Sequence, residues 1–371
     1  MKPLNPIVLP VTLATFCAIL HPAIGTDSKT SNDADDSSAI GLILPAQESL
    51  AASIRNGTQL GLERAGGKNR LVLGGSPGQW GTDGNEAVRL IMEGGVHGLI
   101  APPDGAATHL LLQVAGRTGV PVVMLCPDAS VTQTGIRKAA RVGPSTVEEA
   151  KTMLNWAKSN PAIPIDGFAA IVPEGRAGNK VADDLQTAAK SLNLKWMKIV
   201  QVEKTSSNQW TLPKGFPINR ANLICLWLEP IPAAQMAIAL RSKGYHGLLA
   251  GHSRLFPSVF QDHAGEAAND FFIITIPRSK DGAAVWENFA VEYQKRFAKK
   301  PDIMAAMAYD AATLLARLLE VEQQTHKRLL FSELPPVEGA TGLMRFDEYG
   351  NQQIPLAVGT LRNGRLIIQP R

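Results

Sequence analysis

The chain has 371 residues, 45% of them hydrophobic and 19% charged, with a formal net charge of +4 and a mean hydropathy of −0.01. That balance belongs to a folded globular protein long enough for two cores, and it excludes a disordered chain. The basic residues are scattered along the sequence, which argues against a nucleic-acid binder.

The first 25 residues stand apart. Lys2 gives a short positive start, residues 6–20 (PIVLPVTLATFCAIL) are apolar, and Ala23-Ile24-Gly25 offers small residues for cleavage. This is the pattern of a secretory signal peptide, its apolar run too short and too broken by proline for a membrane span. A mature chain starting near Thr26 and exported to the periplasm is expected. Phe16 is bulky where a lipid-attachment motif at Cys17 would need a small residue, so a soluble form is expected. Residues 26–38 are rich in Ser and Asp and read as a flexible leader.

From residue 39 the pattern alternates between buried strands and helices. Residues 39–44 (AIGLIL) form a fully apolar run ended by Pro45, the signature of a strand buried on both faces. A loop carrying Gln47 follows, then a helix over 50–64 that ends at Gly66-Gly67. Residues 71–74 read as a strand, 75–84 as a loop and 85–93 as a helix. Residues 96–130 are the most informative stretch: a strand (97–101), a Pro/Asp/Gly turn (102–105), a helix (106–116), a second strand (120–126) and a polar turn (127–130). Two parallel strands joined by a helix make a right-handed βαβ unit, and ligands of such sheets sit outside the carboxyl ends of the strands. Both polar turns therefore open toward one crevice.

After a loop to residues 139–142, Ser145 with Glu148 and Glu149 caps a helix over 147–158. The alternation then starts afresh, with strands at 167–172, 196–202, 221–228, 247–250 and 271–276 and helices at 179–192 and 233–243. Two long helices (283–297, 303–323) and a run of short strands with an Asn-Gly hairpin at 363–364 complete the chain. The fold class is α/β, with two doubly wound Rossmann-like lobes and more than one crossing between them, which makes a hinge. Cys126 and Cys225 each sit in an apolar strand-like run and are expected as buried thiols.

The order of these pieces is similar to that of a known family. IGLILP (40–45), GTQLGLERAGG (57–67), EAVRLIMEGGVHGLIAP (86–102), VPVVMLCPDAS (120–130), ARVGPS (140–145), FAVEYQKRFAKKPD (289–302), YDAATLL (309–315) and GLMRFDEYGNQ (342–352) resemble the type I periplasmic solute-binding proteins of ABC importers, in particular the branched-chain amino acid and amide group. The resemblance implies two lobes, 39–143 with 277–345 and 144–276 with 346–371, joined by three crossovers near 141–145, 275–278 and 346–351. It also implies closure on a small ligand, delivery to ABC importer permease subunits, no enzymatic activity, no cofactor and a monomer. The first lobe would grip a carboxylate through Gly105, Ala106 and Ala107 on one turn and Asp128, Ala129 and Ser130 on the other. Several positions depart from the family pattern. Gly105-Ala106-Ala107 stands where such binders carry hydroxyls, the loop holding Gln47 is short and lacks an aromatic, and Ala177 replaces an aromatic on the second lobe. The acidic partner of a ligand ammonium falls near Ser253, which leaves Glu229 as the nearby replacement, since a buried ammonium needs a partner.

The residues themselves allow plainer roles beside these. Asp128 and Ser130 end a buried strand and read as ligand contacts or as a helix cap; Asp104 in Pro-Pro-Asp-Gly reads as a turn residue. Glu174 and Arg176 form a charged rim in either case, and Trp227 reads as core. Gly251-His252-Ser253 begins like a nucleophile elbow but lacks its second glycine, so a periplasmic serine hydrolase is a remote alternative. No metal-ligand or phosphate-loop spacing is present. A non-transport envelope scaffold or regulator using the same fold is the nearer alternative.

Overall fold

The computed structural model describes residues 38–75, 82–161, 163–164, 167–203, 210–213, 215–257 and 259–369. The signal peptide and nearly all of the leader expected from the sequence lie outside these residues.

The first segment forms β1 (Ala39–Leu44), α1 (Glu48–Arg64), β2 (Arg70–Gly75), α2 (Thr82–Met92), β3 (Val96–Ala101), α3 (Gly105–Thr118), β4 (Val122–Met124) and β5 (Ala139–Arg141). Its five strands build one parallel sheet in the order β2-β1-β3-β4-β5. Residues 139–141, reached by the loop expected from the sequence, join the sheet as its edge strand, paired to β4. The chain then enters α4 (Thr146–Ser159), β6 (Phe168–Pro173), α5 (Gly175–Ser191), β7 (Lys198–Val202), β8 (Leu223–Leu226), α6 (Pro230–Ser242), β9 (Leu248–Gly251), α7 (Phe260–Ala264) and β10 (Phe271–Thr275). It returns to the first sheet as α8 (Lys280–Phe297), α9 (Ile303–Thr325) and the hairpin β11 (Val337–Gly339) and β12 (Gly342–Met344). Finally β13 (Ala357–Arg362) and β14 (Arg365–Ile368) run antiparallel beside β10, completing a second sheet ordered β14-β13-β10-β9-β8-β6-β7.

Each sheet carries its own core. Ile40 and Leu42 of β1, Ile100 of β3 and Val123 of β4 pack under α1 and under Met307, Ala311, Leu315 and Leu318 of α9. Leu99, Val122 and Met124 face the other side of the same sheet, against Leu111, Leu112 and Ala115 of α3. A strand buried on both faces must be apolar at every position, which is why β1 reads as an unbroken run. In the second sheet, Ile171, Ile224 and Ile273 meet α6 and α7, while Ala170, Cys225 and Ile274 meet α4 and α5. Cys126 and Cys225 are both free and buried.

Buried polar groups pin the crossings. Arg141, 1% exposed, donates to the Gly143 carbonyl at 3.1 Å, to Glu148 Oε2 at 3.2 Å and to Asn351 Oδ1 at 2.8 Å. It thereby ties the end of β5 to the start of α4 and to the segment leading into β13. Gln352 accepts from the Gly143 amide at 2.7 Å and donates to the Leu343 carbonyl at 3.0 Å. Arg278, just after β10, donates to the Ala340 carbonyl at 2.9 Å. Asp310 of α9 receives the Ala340 and Thr341 amides at 2.7 and 2.8 Å and the Thr341 hydroxyl. Burial pushes the Asp310 carboxyl up to about 6 despite these bonds.

Candidate functional site

The carboxyl ends of β3 and β4 lead directly into the two polar turns of the first sheet. After β3, Asp104 is the N-cap of α3: its Oδ1 accepts from the Ala107 amide at 2.8 Å. After β4, Asp128 caps a 3-10 turn, Ala129–Gln133, the cap role that the sequence allows beside ligand contact. Its Oδ1 accepts from both the amide and the hydroxyl of Ser130, each at 2.8 Å. The Ser130 hydroxyl has one hydrogen, and it is given to Asp128. His109 Nε2, 2.9 Å from Ser130 Oγ, therefore carries the proton in that contact. The result is a hydrogen-bond chain, His109 to Ser130 to Asp128, lying across the front of α3. Asp128 Oδ2 comes so close to this helix start that a Cβ at Gly105 would be 3.0 Å from it. A side chain here would press on the Asp128 carboxylate, which would have to give way by a few tenths of an ångström.

On the second sheet, residues 173–178 read as a loop in the sequence, but α5 already begins at Gly175. The backbone at Gly175 turns sharply at φ +84°, and a Cβ at Gly178 would lie 1.6 Å from the Pro173 carbonyl. Two glycines thus let the helix start directly on the strand end. This rotates Arg176, Ala177, Lys180 and Asp184 toward the first lobe. Together with Pro103, Asp104, Gly105, Ala106, His109, Cys126, Pro127, Asp128, Ser130, Thr146 and Val181 they line a cavity of about 400 Å³.

Lys180 dominates this cavity. Its ammonium lies 2.8 Å from Asp128 Oδ1 and also pairs with Asp184 one turn along α5. Burial alone would raise the Asp128 carboxyl, but Lys180 and the two Ser130 donors outweigh it and hold it below the usual carboxylate range. Burial pushes Asp184 the other way, upward, and Lys180 offsets only part of that. Lys180 itself is raised, the two carboxylates overcoming its burial.

The other anticipated contacts fall elsewhere. Gln47 is exposed and bonds to Ser49. Ala107 is buried and its amide goes to Asp104. Ala129 is half-buried within the 3-10 turn and does not line the cavity. Glu174 is exposed, its carboxyl raised by its neighbour Glu203, and Glu229 is exposed at the start of α6. Ser253 is buried, its amide donating to Glu149 Oε1 at 2.7 Å.

That last bond shows where a carboxylate does stand near Ser253. Glu149, at the start of α4, is fully buried with Oε2 lacking a hydrogen-bond partner among the described residues; Arg254 is 3.9 Å away. Burial pushes its carboxyl up against the pull of Arg254 and Ser253. Beside Ser253 in the chain, His252 Nε2 donates to the Leu228 carbonyl at 2.9 Å, leaving Nδ1 as an unprotonated acceptor without a partner among the described residues. Burial holds the imidazole well below its ordinary value and therefore neutral. Trp227 Nε1, whose ring lies edge-on to His252, likewise has no hydrogen-bond partner among the described residues. Among the described residues no hydrogen bond joins the His252 ring to the Ser253 hydroxyl, so the nucleophile–base contact that an elbow would need is not formed.

Sequence reasoning missed His109, Lys180, Asp184 and Glu149. Lys180 and Asp184 stand at i and i+4, a helical pairing visible once residues 175–191 are read as helix from their first residue. Glu149 reads as an acidic residue of a helix first turn, which it also is.

The model of the periplasmic binding protein family matches residues 39–348. No curated protein sequence matches significantly. Among solved structures, a leucine-binding protein LivK of Thermotoga maritima is 18% identical, covering 90% of this chain and 98% of its own, with a TM-score of 0.70. LivJ of Streptococcus pneumoniae, solved with isoleucine, is 14% identical with coverage of 90% and 99% and a TM-score of 0.71. A solute-binding protein of an ABC transporter from R. palustris, solved with benzoate, is 14% identical with coverage of 90% and 95% and a TM-score of 0.74. The chain belongs to the type I periplasmic binding proteins, a family that binds solutes and does not transform them.

Proposed function

We propose that this chain captures a small polar solute between its two lobes, by closure about the three crossings, and passes it to the permease of an ABC importer in the periplasm. The observation that carries the reading is the cavity whose walls come from both sheets, with Asp128 and Ser130 facing Lys180 and Asp184. A ligand touching both walls favours the closed state, because only a contact made in one state and not the other shifts the balance.

The lining also bears on ligand class. An ionised carboxylate, Asp128, occupies the front of α3, where a bare helix start would attract an anion. A ligand at this wall must donate hydrogen bonds to Asp128, as amines and amides do. Pro103, Pro127, Ala177 and Val181 accept an apolar body, and Arg176 offers a cation to a carboxylate at the rim. Amino-acid-like compounds fit all three features, amides the first two and small carboxylates the last two. The solved relatives hold isoleucine and benzoate, one example of each kind.

A thermal-shift screen over amino acids, amides, amines and small aromatic carboxylates tests this, followed by calorimetry on the hits. A true ligand at a hundred times its Kd stabilises the folded chain by about 2.7 kcal/mol, a shift of several degrees. A transition temperature that no compound moves would overturn capture of such a solute.

A further inference from the structure

The two lobes meet at their crossings through Arg141, Glu148, Asn351 and Gln352. Away from the crossings, the ion pair among the described residues that joins one lobe to the other is Lys180 to Asp128. It lies in the cavity itself, between α5 of the second lobe and the 3-10 turn after β4. We propose that this pair is a latch: in the ligand-free protein it draws the lobes together, and an incoming ligand must compete with the Lys180 ammonium for Asp128. The inference rests on the reading that the lobes close on a solute, and it adds what holds them when no solute is present.

The wiring around the pair suits something that opens and shuts. When the lobes part, Asp128 keeps the Ser130 amide and hydroxyl in its own lobe. Lys180 keeps Asp184, four residues along its own helix. Neither charge is left bare by separation, so opening avoids the large cost of stranding an ion. The lysine stem is flexible and its side chain remains 37% exposed, so release requires no repacking of the core. The other ionisable groups at the latch are Asp104, His109 and Arg176; His109 Nε2 is 4.0 Å from Asp128 Oδ2. A permanently stapled interface would be built otherwise, with each charge depending on the other lobe.

The test needs no ligand. Spin labels are attached through Arg117→Cys on α3 and Lys190→Cys on α5, both exposed, while the native cysteines stay buried. Distance distributions are then measured on the full mature chain. At low salt the parent should show mainly the short distance. Lys180→Met and Asp128→Asn should each move the closed-to-open ratio about fivefold toward open, the scale of a partly exposed pair. Near 1 M salt, where screening reaches about 3 Å, the parent should approach the variants. Lys180→Arg should stay close to the parent, and Asp184→Asn should not open the lobes, because that partner lies on the same helix as Lys180. Unchanged distributions in Lys180→Met and Asp128→Asn would overturn the latch, as would opening by Asp184→Asn equal to that of Lys180→Met. A failed ligand screen with shifted distances would sink the transport reading and leave the latch standing; the reverse pattern would do the opposite.

Discussion

The two lobes are finished differently beside and beneath their strand ends. Beside the first lobe's strand ends Asp104 holds the Ala107 amide and Asp128 holds Ser130 twice, and deeper in that lobe Asp310 holds two amides and a hydroxyl, although Asp83 Oδ1 and Glu338 Oε2 have no hydrogen-bond partner among the described residues. In the second lobe, at the carboxyl ends of β8 and β9, Glu149 Oε2, His252 Nδ1 and Trp227 Nε1 are buried without hydrogen-bond partners among the described residues. Unmet hydrogen-bonding capacity in a buried place is costly. The first lobe's polar turns are thus preorganised, while beneath the second lobe's strand ends lies polar capacity that the described residues do not satisfy. Removing a carboxylate should therefore harm the first lobe, while neutralising one should help the second.

The largest expected effect is at Asp310. Asp310→Ala leaves the Ala340 and Thr341 amides buried without an acceptor and should cost about 3 kcal/mol in chemical denaturation. The same residue sets a pH dependence. Its folded carboxyl sits at about 6, above the unfolded value. Its contribution is therefore full below about pH 4 and is lost as pH rises through 6, by roughly 3 kcal/mol at most. Denaturation midpoints should fall between about pH 4 and pH 7, and less steeply in Asp310→Asn; equal slopes would remove Asp310 as the cause.

Next is the paired change Asp128→Ala with Ser130→Ala. Affinity for a ligand found in the screen should drop about tenfold, or roughly 1.4 kcal/mol, with the far-ultraviolet circular dichroism unchanged. An unaltered affinity would take these two residues out of the site.

The sharpest contrast comes from two smaller effects of opposite sign. Asp104→Ala removes the α3 cap and should destabilise by about 1 kcal/mol. Glu149→Gln keeps an oxygen for the Ser253 amide while removing a charge that burial disfavours, and should stabilise by about 1 kcal/mol at pH 7. The sign follows from the direction of its shift: a raised carboxyl loses stability as pH rises above its unfolded value, so the gain from Gln should vanish in acid. Equal losses from both substitutions would mean that the two lobes are not different after all.

How much of this was legible depends on the range of the interaction. The apolar runs at β1, β3 and β8 and the capping box at Ser145 announce themselves locally, because a strand buried on both faces or a helix start leaves its mark within a few residues. The polar turns at Asp104 and Asp128 are visible for the same reason, since both follow apolar strands in a βαβ unit. The start of α5 was not, because Gly175 and Gly178 look like loop glycines until the Pro173 carbonyl is seen beside them. That shift of helix start decides whether Lys180 points into the cavity. Glu149 met Ser253 only through the packing of α4 against β9, across 104 residues of chain.

By itself, then, the sequence determined the α/β class, the strand ends that form the first wall, and the resemblance to a family of solute binders, all of which are written in local patterns of apolar and polar residues. Only the tertiary structure decided that Lys180 of one lobe reaches Asp128 of the other, that Gln47 and Glu229 stay outside the cavity, and that Glu149 stands buried beside Ser253. Those facts depend on where helices lie on sheets, and charges far apart in the chain interact only once folding has brought them within a few ångströms and away from water.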